Sequence, residues 1–147
     1  MSSGPSDIAT IALDIDRLMR RIHAQLQLTA PDFDTHNVGP LGGMALLTIA
    51  DNEPVDVQTV SDALGRDKSQ ISRLLKRLES QGLIEREKSV SDGRTTLLSL
   101  TVEGRCQLNS IKEALTSIIG TILESLSSSE RKAFGSALSK IAALRVD

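Results

Sequence analysis

Aromatic side chains are almost missing from this 147-residue sequence: Phe33 and Phe134 are present, tryptophan and tyrosine are not. Recognition of RNA or single-stranded DNA by base stacking leans on aromatic platforms, so that class of function is disfavoured and the core has to be aliphatic. Cysteine is equally scarce. A lone Cys106 cannot form an intrachain disulfide, which suits a reducing compartment. His23 and His36 have no second cysteine near them, and zinc would need about four ligands. No metal and no cofactor are expected. No apolar run approaches the roughly 18 residues of a membrane span, and Met1 to Ser6 lacks the basic and apolar parts of a signal peptide. The expectation is a cytoplasmic protein with no membrane partner. A Gly-rich phosphate loop, a Ser-His-Asp pattern, an HExxH pair and a carboxylate pair are also lacking, so no catalytic residues are assigned and no enzyme is expected.

What is present is ordinary in amount and unusual in placement. Hydrophobic residues make up 39% and charged residues 24%, normal for one globular domain of this length. The net charge is −2. Between Arg66 and Arg94, however, eight basic residues face five acids, a local +3 that leaves −5 for the rest. An acidic body with a basic middle is what a protein needs if one face alone is to approach phosphate.

Hydrophobic periodicity divides the chain into helices and one hairpin. Ile8, Ile11, Ile15, Leu18, Met19, Ile22 and Leu26 predict a helix from about Asp7 to Leu28, and Thr29 to Pro40 reads as a connection. A shorter helix is predicted over Leu41 to Ala50. Asp56 suits the N-cap of a helix with Val57, Val60, Ala63 and Leu64 inward, and Gly65 suits its left-handed end. Asp67 with Gln70 resembles a capping box, opening a helix with Ile71, Leu74, Leu75 and Leu78 on one side and closing at Gly82. Ile84 to Ser89 and Thr95 to Leu100 fit two strands around an Asp92-Gly93 turn. Thr101 caps a long helix, and Ser127 with Glu130 forms a capping box for the last one, which carries Phe134, Leu138, Ile141 and Leu144.

Two short helices joined by a glycine turn and followed by a hairpin form a helix-turn-helix with a wing. If the Ile71/Leu74/Leu75/Leu78 stripe faces inward, then Ser69, Ser72, Arg73, Lys76 and Ser80 face outward at about 100° per residue. Arg73 and Lys76 can donate to guanine edges or phosphate, Ser69, Gln70 and Ser72 can reach either, and Lys68 and Arg77 suit phosphate. Small serines let such a helix sit deep in a major groove. The ordinary alternative is a solvated amphipathic helix, and the neighbouring turn and hairpin weigh against it.

The run VQTVSDALGRDKSQISRLLKRLESQGLI (57–84), followed by VSDGRTTLLSLTVEG (90–104), resembles the MarR family of bacterial regulators. The resemblance covers nearly the whole chain. It implies a mainly α fold with a small β-hairpin wing: a winged helix-turn-helix over 40–100, flanked by dimerisation helices at 1–30 and 101–147, as a single domain. It further implies that Arg94 enters a minor groove and that Asp92 orients it; a tip arginine suits the negative potential there in any case. Where similar proteins often carry a bulky residue early in the second helix, this chain has Gly42-Gly43, which either make space for an effector or delay the helix start.

The resemblance implies a homodimer on double-stranded DNA, with a pseudo-palindromic operator, repression, and release by a small aromatic or anionic effector. Long aliphatic stripes on the first and last helices favour a dimer independently. Arg17, Arg20, Arg21 and His23 could receive a carboxylate or simply form a solvated face. Cys106 lies away from the N-terminal helix that bears the thiol of the family's peroxide sensors, and reads as a buried or half-buried filler. The competing function is a winged-helix protein-interaction module that does not bind DNA; Arg73, Lys76 and Arg94 together speak against it.

Overall fold

The computed structural model describes residues 7–33 and 36–144. Among these residues the order is α1 (Ile8–Phe33), α2 (Gly39–Asn52), β1 (Val55–Asp56), α3 (Val57–Leu64), α4 (Lys68–Ser80), β2 (Ile84–Lys88), β3 (Thr96–Leu100), α5 (Val102–Leu123) and α6 (Ser128–Ala142). The three strands form one antiparallel sheet in the order β1-β3-β2. The core is aliphatic, as the missing aromatics require: Leu46 and Ile49 from α2, Val60 from α3, Ile71, Leu75 and Leu78 from α4, and Leu98 from β3 are fully buried. Burying each such side chain contributes about 2 kcal/mol, and with Leu74 four buried side chains come from α4 alone.

The helix boundaries follow local chemistry. Asp56 caps α3 by accepting from the Thr59 amide at 2.7 Å, and Gly65 takes the left-handed conformation (φ 60°) just past its end. Ser127 and Glu130 form the reciprocal capping box of α6. At α4 the outcome differs from the sequence reading. Asp67 makes no capping hydrogen bond through its side chain; its carboxylate accepts from the Ser69 hydroxyl instead, so the Asp67/Gln70 box does not form.

Two other expectations are corrected. Helix α1 runs to Phe33 and does not end at Leu28. Helix α2 begins at Gly39, so Gly42 and Gly43 lie inside the helix and do not delay it. Both are buried. A β-carbon on residue 42 would lie 2.3 Å from Val38 Cγ1, whereas one on residue 43 would meet Ile111 Cδ1 at an ordinary 3.5 Å.

A tight joint sits between the end of α4 and the start of α5. The Thr101 amide donates to the Leu83 carbonyl at 3.1 Å, and its hydroxyl donates to the Gly82 carbonyl while accepting from the Gly104 amide at 3.0 Å. A β-carbon on residue 104 would stand 2.0 Å from the Leu83 carbonyl oxygen. Nearby, Glu53 accepts from the Leu100 amide at 2.9 Å and pairs with Arg105. Burial pushes the Glu53 carboxyl up, but the Leu100 amide and the Arg105 guanidinium together hold it below its ordinary 4.5.

The joint and the ion pair each give an expected outcome in urea unfolding. Gly104→Ala should lose about 2 kcal/mol or more by overpacking against backbone, while Gly43→Ala should be neutral or gain up to about 1 kcal/mol as a helix-interior glycine replaced by alanine; equal midpoints would contradict the joint. A depressed folded-state value means that the Glu53 contribution is complete above the unfolded value and lost as pH falls through the folded one. Glu53→Gln should therefore flatten the fall in stability below about pH 4.5, and an unaltered acid limb would count against the pairing.

Candidate nucleic-acid interface

Helix α4 presents two unlike faces. Ile71, Leu74, Leu75 and Leu78 are buried, and the opposite side exposes Lys68, Ser69, Gln70, Arg73, Lys76 and Ser80, with Ser72 half-buried between them. Residues 69, 73, 76 and 80 stack at i, i+4, i+7 and i+11 and so share one face. Arg73 and Lys76 form no ion pair and no hydrogen bond among the described residues. Arg73 feels the Asp67 carboxylate without bonding to it, and both cations stay available to an external anion.

Arg77 is arranged differently. It is exposed, but one guanidinium nitrogen donates to the Val38 carbonyl at 3.0 Å, which holds its side chain back against the start of α2. The Asp67 carboxyl is kept below its ordinary value chiefly by the Ser69 hydroxyl, so a negative charge persists at the start of α4. The bend between α3 and α4 has a support that the periodicity did not reveal. Ala63, expected inward, is exposed; Ser61 is buried, and its hydroxyl donates to the Arg66 carbonyl at 2.6 Å. A serine at that position looks ordinary in sequence because its partner is a backbone oxygen.

The hairpin of β2 and β3 follows α4 as the wing. At its tip Asp92 accepts from the Arg94 amide at 3.0 Å and from the Thr95 hydroxyl at 2.9 Å. The aspartate thus fixes the backbone of the turn and forms no ion pair with the Arg94 guanidinium, which is exposed and unpaired among the described residues. Of the eight basic residues between Arg66 and Arg94, one is neutralised locally: Arg86 pairs with Glu79 at 3.2 Å.

A second feature lies between α1, α2 and α5. Ile22, Leu26, Leu47, Ile111 and Leu115 line a largely apolar cavity of about 640 Å³, with Gly43, Arg20 and His23 also in its lining. Arg20 is paired to Asp16 at 2.7 Å, and Arg17, outside the cavity, to Asp14 at 2.9 Å. Cys106 is exposed, which corrects its reading as a filler. The buried stripe of α5 runs through Gly104, Gln107, Leu108, Ala114 and Ile118, and residue 106 falls off that line at 100° per step. Among the described residues no group of three or more metal-ligating side chains is assembled, and no helix is long and apolar enough to cross a membrane.

A helix-turn-helix whose second helix carries outward cations, followed by a hairpin with an arginine at its tip, is a winged helix-turn-helix. A MarR family profile matches residues 37–95. The organic hydroperoxide resistance transcriptional regulator of Bacillus subtilis is 37% identical over 93 residues, covering 63% of this chain and 60% of that protein. The chain thus matches somewhat less than two thirds of that relative's length. Among solved structures, BpsR of Bordetella bronchiseptica, whose DNA binding is regulated by 6-hydroxynicotinic acid, superposes with a TM-score of 0.70 at 20% identity over 99% of both chains. A point mutant of Staphylococcus aureus MepR bound to an oligodeoxyribonucleotide gives 0.61 at 20% identity, covering 91% of this chain and 96% of that one. The family match thus spans the helix-turn-helix and most of the wing, the relative is a transcriptional regulator, and the solved structures share the fold.

The Asp92 contacts carry an expected outcome of their own. Asp92→Ala should remove the partner of the Arg94 amide and speed its hydrogen exchange by about tenfold, with global stability lowered by about 1 kcal/mol at most. Unchanged exchange at Arg94 would show that the turn holds itself without the carboxylate.

Proposed function

We propose that this protein is a repressor that binds a pseudo-palindromic duplex operator as a homodimer and leaves it when a small anionic or aromatic effector binds. The observation that carries the DNA reading is the pairing state of the cations: Arg73 and Lys76 on the open face of α4, and Arg94 on the wing, form no ion pair or hydrogen bond within the described residues, and Arg73 feels the Asp67 carboxylate only through space. An oligonucleotide-bound structure among the neighbours is consistent with it. In this reading Ser69, Gln70, Ser72, Arg73 and Lys76 face base edges and phosphates of the major groove, Lys68 contacts phosphate, Arg77 reaches phosphate only through the guanidinium nitrogens not bonded to Val38, and Arg94, aimed by the Asp92-stiffened turn, enters the minor groove.

Two-fold assembly rests on α6. Every described residue of this helix is exposed, and Phe134, Leu138 and Ile141, 39%, 48% and 63% exposed, form one apolar line at i, i+4 and i+7. A 15-residue helix is marginal in water without tertiary packing, so a second copy that covers this line, together with Ile8, Ile11, Ile15 and Met19 of α1, makes physical sense. Effector binding is assigned to the cavity between α1, α2 and α5, on the strength of its apolar wall, the Arg20 and His23 edge, and ligand control in one neighbour. A ligand there would act by favouring a dimer whose two α4 helices no longer match successive grooves.

Gel retardation and anisotropy test the reading. The purified protein should retard a duplex selected from a random pool, with affinity falling steeply as salt rises. Arg73→Ala should erode discrimination between sequences by about 1–3 kcal/mol at one position, and Arg94→Ala should weaken all sequences more evenly. Leu138→Asp should give a monomer by analytical ultracentrifugation and abolish tight binding. Wild-type binding retained in both arginine variants would defeat the site assignment.

A further inference from the structure

Glu79 is out of place on α4 by two electrostatic criteria. It sits in the last turn, where the helix dipole disfavours an anion, and it belongs to the helix that the proposed function aims at phosphate. Its side chain is 40% exposed, and its carboxylate accepts from Arg86 Nε at 3.2 Å, the Arg86 side chain being 26% exposed. Strand alternation explains how Arg86 reaches it. Ile84 and Arg86 share one face of β2; Ile84 is buried in the core, and Arg86 stands opposite buried Leu98 in the β3 register. Arg86 is therefore half-buried beside α4, while Glu85 and Glu87 on the other face are exposed. Strand β2 is the edge of the sheet and has β3 as its one strand neighbour, so this ion pair ties the outer side of the hairpin directly to α4.

Resting on the DNA-binding reading above, we infer that the Glu79–Arg86 pair is a positioning brace: it sets the angle of the wing against α4, and Arg86 itself does not contact DNA. A helix in the major groove and a hairpin tip in the minor groove gain from simultaneous engagement only when their relative placement matches the duplex. Holding that placement justifies an anion at an unfavourable position. The reading makes opposite predictions from a simple electrostatic one. If Glu79 were a bystander near phosphate, its removal would tighten DNA binding; as half of a brace, its removal weakens binding.

The test uses the full chain with Arg86→Ala, Glu79→Ala, both together, and the exchange Glu79→Arg with Arg86→Glu, each measured by anisotropy on the duplex selected by the wild type and by urea unfolding. Each single alanine is expected to weaken binding by about fivefold, near 1 kcal/mol; the double should be no worse than either single, the exchange should restore most of the loss, and the salt slope should stay that of the wild type. The brace is overturned if Glu79→Ala binds as tightly as wild type or tighter, or if Arg86→Ala reduces the salt slope by about one phosphate contact. Should the wild type bind no duplex at all, the proposed function fails first. Unfolding then judges the pair alone: non-additive midpoints in the four proteins keep it as a structural brace, and additive midpoints remove it.

Discussion

The Leu83 carbonyl oxygen occupies the space that any side chain on residue 104 would need, and Thr101 closes the same seam with bonds in both directions. The start of α5 is thereby fixed against the end of α4 by backbone contact, which does not adapt as side-chain packing does. Everything beyond depends on that placement. Helix α5 runs from the winged unit along α1 toward α6, so the direction in which it leaves the seam decides where the apolar line of α6 stands relative to the open face of α4. In the proposed symmetric pair that relation would become the distance between the two α4 helices, and a shift of a few ångström would put them out of step with successive grooves.

Charge is handled with the same economy. The chain is acidic overall, yet Arg73 and Lys76 on α4 and Arg94 at the wing tip form no ion pair among the described residues, while Asp14 pairs with Arg17, Asp16 with Arg20, Glu53 with Arg105 and Glu79 with Arg86. The Glu53–Arg105 and Glu79–Arg86 pairs tie separate elements together, the other two lie within α1, and Arg73, Lys76 and Arg94 stay available to a partner outside the molecule. Net charge says little about such a protein, because the relevant quantity is which positive groups are already neutralised internally.

Much of this was legible in the sequence where a local rule decides the outcome. The stripe of α4 and the caps at Asp56, Thr101 and Ser127 follow from periodicity and hydrogen-bonding groups a few residues apart. What escaped depends on contacts that periodicity does not register, several of them between separate elements. The two-residue strand β1 exists because β3 is there to receive it. Ser61 is buried by the turn it supports, Gly42 and Gly43 are admitted to α2 by their tertiary neighbours, and Cys106 lies outside a buried stripe that starts from a glycine. Of the residues expected to face outward on α4, Ser69, Arg73, Lys76 and Ser80 are exposed and Ser72 is half-buried; Arg94 is exposed on the wing, whereas Arg77 is drawn back to Val38 and Asp92 acts on backbone and a neighbouring hydroxyl. Pairings across 7 residues, such as Glu79 with Arg86, leave no periodic trace.

Hydroxyl-radical footprinting of the full chain on a duplex chosen by the protein itself tests most directly whether this is a two-fold DNA reader. The expected pattern is a pair of protected tracts related by a dyad, their major-groove centres about one helical turn or roughly 34 Å apart, each flanked by minor-groove protection that the wing provides. A single unpaired tract, or cleavage as uniform as on free DNA, would contradict it.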